Sequence, residues 1–450
     1  MPGLEGNAVI GQSGGPTMVI NASLVGAIQE AKKHPEITGF YGALNGVEGV
    51  LHERLVDLYA ESEETLEDVR YTPSAAIGSV RLKVNERDLQ RALDVFRAHN
   101  VRYFFYAGGN DSQKTSLLIS EIAKAEGYDL ICVGIPKTVD NDLPITDHCP
   151  GYGSVARFVA SAVTFAGKDN EALRELHLIE CMGRDSGWIT AASRLARRKE
   201  GDPPHLILLP EVPFNEEQFI ELVLREYKKW GRCVVAVSEG IRYADKDDPD
   251  NVDPEALVAK ASQFVDQFGH PQLGGVAMRL TSICEERLGM KTRNDKMGTL
   301  QRSFMFCASK VDLEEAYEVG RKAVELAAAG QTGQMVTLQR TSSDPYEWTT
   351  GVTEFENVAE KKKDIPLSWI DRENGDLNED FVYYLKPLVE GAEPDKVKFG
   401  PELPYYPGLK LHRIEPRLGD YVDSRGWWLD KRAKRWIRAT FDERTERVEA

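Results

Sequence analysis

The sequence has few cysteines and no long apolar segment, and each absence excludes a class of protein. Its six cysteines in 450 residues are widely spaced and form no CxxC pair, so neither a structural zinc site nor a disulfide framework is predicted. No apolar run approaches the roughly 18 residues of a membrane-spanning helix, and residues 1–6 lack the regions of a signal peptide. We therefore expect a reduced, cytoplasmic protein with no membrane partner.

The sequence also has fewer basic than acidic side chains. The chain has 72 acidic and 56 basic residues and a formal net charge of −16, and such a chain repels nucleic-acid phosphates unless basic residues are locally concentrated. We therefore expect no nucleic-acid partner. Residues 425–438, which interleave aromatic and basic side chains, could bind RNA or a membrane surface, but the favoured interpretation is a docking or subunit-contact segment.

Several common catalytic motifs are missing. There is no HExxH metal motif, no GxSxG nucleophile elbow and no Walker A lysine, so neither zinc hydrolase nor serine hydrolase chemistry is indicated. Residues 151–156 match the GxGxxA pattern, but they follow Cys149-Pro150 rather than a strand. A dinucleotide site is therefore not expected there.

Short apolar segments alternate with segments of helical periodicity, which predicts a doubly wound α/β protein. The strands are predicted at residues 7–11, 101–107, 130–134, 176–180, 206–209 and 233–237, and the helices at residues 22–33, 86–99, 115–125, 155–166, 216–229 and 313–329. The two sets divide near residue 150, which predicts two lobes facing each other across a cleft. Beyond about residue 337 the pattern decays, and we expect wrapping elements rather than a third α/β domain.

Polar motifs follow the predicted strands, where ligands bind in doubly wound sheets. After the first strand, Gly14 and Gly15 let backbone N–H groups approach an anion, although a merely structural turn would fit as well. Residues 108–112 (GGNDS) combine glycines with amide, carboxylate and hydroxyl oxygens that suit Mg²⁺ and phosphate. A helix N-cap at Asn110 or Asp111 is the alternative.

Residues 136–142 (PKTVDND) place a cation, a hydroxyl and two carboxylates together. A carboxylate there can act as a general base toward a sugar hydroxyl while Lys137 stabilises a transferred phosphoryl group; a polar surface loop is the alternative. Arg184 and Glu239 follow later strands, and Arg293 and Arg302 flank a predicted polar turn. The arginines indicate a phosphate-bearing substrate, although each alone is more often a surface residue.

Taken in order, these motifs resemble those of the phosphofructokinase family over residues 7–330. The matching segments are residues 13–15, 108–112, 136–142 and 180–187, Glu239, and Arg293 with residues 298–302. The resemblance implies two Rossmann-like lobes with mostly parallel sheets and a C-terminal extension. Residues 1–150, with about 303–336, would form the phosphoryl-donor lobe, residues 151–302 the sugar-phosphate lobe, and residues 337–450 the wrapping extension.

Two positions discriminate the phosphoryl donor in this family. Members that use ATP have glycine before the serine of the first motif and before the threonine of the second, where this chain has Asp111 and Lys137. The sequence therefore resembles the pyrophosphate-dependent branch. An added carboxylate obstructs and repels a longer polyphosphate, while an added ammonium compensates the compact charge of pyrophosphate.

The resemblance also implies roles for individual residues. Asp140 would take the proton from the 1-hydroxyl of fructose 6-phosphate, while Lys137, Arg184 and Arg81 stabilise the phosphoryl group and Gly15 offers a backbone N–H. Mg²⁺ would lie near Asn110 and Asp142. The sugar phosphate would contact Thr138, Met182, Gly183, Glu239, Thr299 and Arg302, and Arg293 would reach a neighbouring subunit, which implies a homodimer or homotetramer.

Some positions depart from the family pattern. Asn110 replaces a usual metal-ligating aspartate, Thr299 stands where many relatives have histidine, and Glu175 occupies a position where an arginine commonly contacts a neighbour's sugar phosphate. The resulting hypothesis is a Mg²⁺-requiring, reversible, pyrophosphate-dependent phosphofructokinase of glycolysis and gluconeogenesis. The rivals are an ATP-dependent enzyme, a pyrophosphate-dependent sedoheptulose-7-phosphate kinase and a non-catalytic regulatory subunit.

Overall fold

The computed structural model describes residues 4–248, 250–259, 273–390, 406 and 408–424, together with the backbone of residues 427–430 and 435–438. The strands, in chain order, are β1 (Gly6–Gln12), β2 (Ile37–Ala43), β3 (Leu55–Asp57), β4 (Val101–Gly108), β5 (Ile131–Pro136), β6 (Leu176–Cys181), β7 (Leu206–Leu208), β8 (Cys233–Ser238), β9 (Arg242–Ala244), β10 (Val252–Leu257), β11 (Thr292–Lys296), β12 (Gln334–Ser343), β13 (Tyr346–Glu354), β14 (Ile370–Asp371), β15 (Asp376–Leu377), β16 (His412–Arg413), β17 (Trp427–Asp430) and β18 (Arg435–Arg438).

The α-helices lie between these strands, and the sequence periodicity predicts six of those in the described residues. They are α1 (Ile20–Ala31), α2 (Val47–Leu51), α3 (Glu63–Arg70), α4 (Glu86–Ala98), α5 (Asn110–Ala125), α6 (Tyr152–Leu173), α7 (Trp188–Ala191), α8 (Glu216–Trp230), α9 (Val276–Leu288), α10 (Lys310–Ala328) and α11 (Glu379–Leu385). Short 3₁₀ segments cover Ala192–Ala196, Gly298–Arg302, Met305–Cys307, Phe355–Asn357, Leu367–Trp369 and Lys386–Val389.

The first lobe is built on an eight-stranded sheet of order β13-β12-β5-β4-β1-β2-β3-β16. Strands β12, β5, β4, β1 and β2 run parallel, and antiparallel strands complete both edges. Strand order reverses between β1 and β4, which creates a crevice at their carboxyl ends. The predicted boundary at residue 337 falls inside β12, so the β12–β13 hairpin adds to this sheet.

The second lobe has a parallel sheet of order β11-β6-β8-β7. The polar turn predicted between Arg293 and Arg302 is wrong in its first part, because β11 continues through Arg293 to Lys296 and pairs with β6. The exposed, charged sequence of this edge strand carries no apolar strand signal. The two parallel sheets otherwise confirm the predicted doubly wound α/β class.

A continuous apolar core joins the two lobes and the C-terminal segment. One cluster contains Ala22 of α1, Val155 of α6, Ala316 of α10 and Phe381 of α11, all fully buried. Helices α1 and α10 cross closely, since a Cβ on Gly26 would lie 2.1 Å from the carbonyl oxygen of Tyr317. The two lobes are therefore held together by this apolar packing, to which α11 contributes.

The remaining sequence expectations concern cysteines, membrane spans and the tail. All six cysteines are free thiols, five of them buried. Across the described ranges, no helix has the length and apolar character needed to cross a bilayer. Of residues 425–438, only the backbone of the antiparallel β17–β18 pair is described, so the predicted docking role of their side chains lies outside the described residues.

Candidate active site

The carboxyl ends of the parallel strands in both lobes border one polar cavity of about 420 Å³. Loops that follow β1, β4, β5, β6 and β8 each contribute to its wall. Most of the residues singled out from the sequence line this cavity: Gly15, Arg81, Asn110, Asp111, Lys137, Thr138, Asp140, Asp142, Met182, Gly183, Arg184 and Glu239. The structure therefore brings together motifs that are up to 224 residues apart, from Gly15 to Glu239.

The loop after β4 leads directly into α5. The N-cap of this helix is Gly109 and has no side-chain cap hydrogen bond, so the N-cap alternative for Asn110 and Asp111 does not apply. Both side chains line the cavity instead. Asp111 lies in the first turn of α5, where the helix dipole favours a negative charge. The Asn110 amide oxygen accepts the Asp111 N–H at 2.9 Å.

The loop after β5 presents the densest group of ionisable side chains. Asn141 between the two aspartates has a left-handed φ of 54° and is fully buried. Its amide oxygen accepts the Cys149 N–H at 3.0 Å, and its amide nitrogen donates to the Tyr384 hydroxyl at 3.0 Å. This inward turn allows Asp140 and Asp142 both to line the cavity.

Burial and neighbouring charges shift the pKa of these groups. Burial lowers the pKa of Lys137 to about 7, and its ammonium donates to the Gly15 carbonyl at 2.7 Å. Burial raises the pKa of Asp140, and the Glu239 carboxylate raises it further while Lys137 opposes the shift. Burial and Asp140 raise the pKa of Asp142 to about 7. An anion bound here would favour the charged form of Lys137.

The loop after β6 positions Arg184. The Met182 N–H donates to the side-chain oxygen of Gln301 at 3.1 Å. Gly183 has a φ of 137°, and a Cβ there would lie 2.6 Å from the Ser186 carbonyl oxygen. The Gly187 N–H donates to Glu211 at 2.8 Å. These contacts fix the loop from both ends and require glycine at position 183.

Arg302, the last residue of the Gly298–Arg302 segment, lies beside the cavity behind Gly15 and is not among the residues that line it. Its guanidinium lies against Gly15, since a Cβ on that glycine would be 2.7 Å from Arg302 Nη1. Burial and the Arg81 charge lower the pKa of Arg302. Its Nε is buried and has no hydrogen-bond partner among the described residues. A buried N–H of this kind is a donor that an anionic ligand would satisfy.

Two predicted residues lie away from the cavity. The Arg293 guanidinium is half-exposed and contacts Glu175 and Asp169 at 3.3 and 3.8 Å. Thr299 is exposed in the same 3₁₀ segment as Arg302. Neither side chain borders the cavity within this chain.

Sequence reasoning missed several contributors to the site. Asp185, Ser186, Glu360 and Lys362 also line the cavity, and the Ser186 hydroxyl donates to the Asp140 carbonyl at 3.2 Å. Asp185 and Ser186 lie inside a recognised motif, so the motif could have indicated them. Glu360 and Lys362 lie in the proline- and charge-rich C-terminal part, where sequence gave no such indication.

The acidic residues of the cavity can hold a metal ion only with help from a ligand. Among the described residues, no three histidine, cysteine or acidic side chains are grouped as a metal site. Asp142 Oδ1, however, is buried and lacks a hydrogen-bond partner in the described structure. One or two carboxylates combined with phosphate oxygens and water are a donor set that suits Mg²⁺.

Comparison with known proteins gives consistent matches. The family model "Phosphofructokinase" matches residues 7–327. The pyrophosphate–fructose 6-phosphate 1-phosphotransferase of Halomonas elongata is 40% identical over 425 residues, or 92% of this chain and 99% of the relative. That of Rhodospirillum rubrum is 43% identical over 397 residues, or 87% and 96%. The crystal structure of a pyrophosphate-dependent phosphofructokinase from Marinobacter aquaeolei is 39% identical, with a TM-score of 0.81 over 92% of this chain and 98% of that one.

Proposed function

Because this chain belongs to the phosphofructokinase family, we propose that it transfers a phosphoryl group from pyrophosphate to the 1-hydroxyl of fructose 6-phosphate. The products are fructose 1,6-bisphosphate and phosphate, and the reaction is reversible. The observation that carries the proposal is the position of Asp111 and Lys137, which border the same cavity as Asp140. Relatives with about 40% identity over most of the chain are named for this reaction.

The chemical step needs one base and several cations. The 1-hydroxyl oxygen attacks the nearer phosphorus and forms a new P–O bond, while the bond to the bridging oxygen breaks and that oxygen leaves with phosphate. Asp140 accepts the hydroxyl proton. Its raised pKa brings a carboxylate closer to the optimum for proton transfer near neutral pH.

Lys137, Arg81, Arg184 and Arg302 stabilise the charge on the phosphoryl oxygens and on the sugar phosphate. Phosphoryl transfer is mainly positioning and electrostatic stabilisation, and in a cavity shielded from water each cation acts strongly. The buried Arg302 Nε without a protein partner supports its assignment to an anionic ligand. Glu239, Thr138, Met182 and Gly183 would contact the sugar.

We propose Mg²⁺ as the metal ion, held by Asp142 with support from Asp140 and Asn110. When bound, it would neutralise charge on the pyrophosphate oxygens. The buried Asp142 Oδ1 supports this assignment. Asn110 is the weaker ligand, because its amide oxygen already accepts the Asp111 N–H.

We also propose a cytoplasmic homodimer or homotetramer that acts in glycolysis and gluconeogenesis. Arg293 contacts no part of the cavity in its own chain, and Phe165, Leu300 and Phe304 are exposed apolar side chains on α6 and the segment after β11. Large exposed apolar side chains of this kind support a subunit interface. The molar mass in solution, measured by light scattering, tests this assembly; a monomer at all concentrations would contradict it.

The test of the function compares pyrophosphate and ATP as the sole donor, with fructose 6-phosphate and Mg²⁺, and measures fructose 1,6-bisphosphate. We expect turnover with pyrophosphate and none with ATP, because the Asp111 carboxylate would obstruct and repel the longer polyphosphate and the Lys137 ammonium suits pyrophosphate. Turnover with ATP only would overturn the donor assignment. Faster turnover with sedoheptulose 7-phosphate than with fructose 6-phosphate would make sedoheptulose 7-phosphate the assigned substrate. No turnover with either sugar and either donor would favour a regulatory subunit.

A further inference from the structure

Residues 360–364, which we call the strap, cross the cavity between the two lobes. On the first lobe, the Asn110 amide donates to the Lys361 carbonyl at 3.4 Å, and Lys114 of α5 lies 3.5 Å from the Glu360 carboxylate. On the second lobe, the Trp188 indole donates to the Lys363 carbonyl at 3.0 Å. The strap is therefore held on both sides of the cleft.

The centre of the strap is anchored beneath the catalytic loop. The Lys363 N–H donates to the Asp142 carbonyl at 2.7 Å. Its ammonium is buried and donates to the carbonyls of Thr146 and Asp147 at 3.1 and 2.8 Å. Because buried ammonium groups with two carbonyl acceptors are expensive to displace, these bonds fix the course of the strap past the cavity.

Two side chains of the strap, Glu360 and Lys362, form part of the cavity wall. The Lys362 ammonium donates to the Asp185 carbonyl at 2.9 Å and lies 2.8 Å from Asp364 Oδ1. An ammonium has three N–H donors, so these two acceptors leave one donor for a ligand. The Lys362 side chain is about half-exposed, at 45%, which keeps that donor accessible.

The charge distribution of the cavity shows what this donor would meet. Lys137, Arg81 and Arg302 act on one another electrostatically and on Asp140. The end of the cavity beside α5 instead presents Asn110 and Asp111, an amide and a carboxylate. A second phosphate of the donor at this end would need a cation. Lys361 contacts this end through Asn110, and the next residue, Lys362, places its ammonium at Asp185, which is also part of the cavity wall.

We propose that Lys362 binds the outgoing phosphate of the donor. This inference rests on the proposed function and deepens it. In the transfer step, the outgoing phosphate gains the electron pair of the broken bridging bond, and Lys362 stabilises the charge that develops there. Binding of the donor then depends on a third position, outside the two motif positions that the sequence indicates.

The test uses the full chain with Lys362→Met, which removes the ammonium but keeps the length of the side chain. Lys362→Arg restores the charge, and Lys361→Met is the matched control, because the cavity wall does not include Lys361. Steady-state kinetics with pyrophosphate and with fructose 6-phosphate are measured for each variant. Inhibition by inorganic phosphate and the thermal midpoint are measured in parallel.

For Lys362→Met we expect the KM for pyrophosphate and the inhibition constant for phosphate to rise by about 10-fold to 100-fold, the usual range for a lost hydrogen bond to a charged group. The KM for fructose 6-phosphate should stay within about twofold. Lys362→Arg should recover most of the loss, and Lys361→Met should match the parent.

The outcomes separate this inference from the proposed function. If the parent enzyme uses pyrophosphate but Lys362→Met is unchanged in both phosphate constants, the inference is wrong while the function stands. A lower thermal midpoint with unchanged constants would give Lys362 a structural role only and would also overturn the inference. If the parent shows no pyrophosphate-dependent turnover, the proposed function fails and the inference fails with it.

Discussion

A buried network of ionisable side chains beside the catalytic loop makes the stability of the fold depend on pH. The fully buried His148 ring contacts Asp147 at 2.7 Å and Glu315 at 2.5 Å. Glu315 also accepts the Tyr346 hydroxyl at 2.5 Å. Burial alone would lower the pKa of His148, but the two carboxylates outweigh it and raise the pKa from 6.5 to about 9.

The sign and size of the effect follow from this shift. Because the folded state holds the proton more tightly than the unfolded state, the stabilisation is complete below pH 6.5 and is lost as the pH rises through about 9. A shift from 6.5 to about 9, at about 1.4 kcal/mol for each pKa unit, gives about 3–4 kcal/mol. Replacing His148 leaves Glu315 buried without its cation, which costs about 3–5 kcal/mol.

We expect urea unfolding, followed by tryptophan fluorescence between pH 6 and pH 9.5, to reveal this network. The parent should lose about 3 kcal/mol more of unfolding free energy over that interval than His148→Gln, which should be less stable at pH 6. His412→Gln is the control, because His412 is exposed on β16. Parallel pH profiles for the parent and His148→Gln would refute the reasoning.

Three further predictions concern the active site. Asp140→Asn should lower turnover by about 10²–10⁴-fold, the range for a lost general base, with an unchanged circular dichroism spectrum; near-normal turnover would remove Asp140 from that role. Asp111→Gly should strengthen competitive inhibition by ATP about tenfold, because one carboxylate no longer obstructs and repels the polyphosphate; equal inhibition of the parent and the variant would contradict this role of Asp111 in donor choice. Removal of divalent cations with EDTA should abolish turnover and Mg²⁺ should restore it, whereas full activity in EDTA would exclude the proposed metal.

The sequence predicts the parts of the site that are local in the chain. Five of the site residues lie within a few positions after the end of a buried parallel strand: Gly15, Asp111, Lys137, Asp140 and Glu239. The carboxyl ends of parallel strands lie at the same edge of a sheet. Once the strands are recognised from their apolar runs, the convergence of these residues follows from topology.

The parts that could not be predicted depend on contacts distant in sequence. β11 was missed because an exposed edge strand needs no apolar residues and is defined by its backbone pairing with β6. Lys362 was missed because lysine and glutamate in a charged stretch indicate a solvated loop. Its place in the cavity wall arises only from the contacts of residues 360–364 with α5 and with the loop after β6.

The left-handed conformation of Asn141 affects when the active site can form during synthesis of the chain. Its side chain is held by the Tyr384 hydroxyl, 243 positions later in the chain. All the recognised motifs are therefore synthesised before Tyr384, the residue that holds the catalytic loop inward. We expect nascent chains halted before α11 to remain inactive although every strand of both parallel sheets except the short edge strand β16 is already encoded, so that enzymatic activity requires the synthesis of α11 and not only of the strands that carry the motifs.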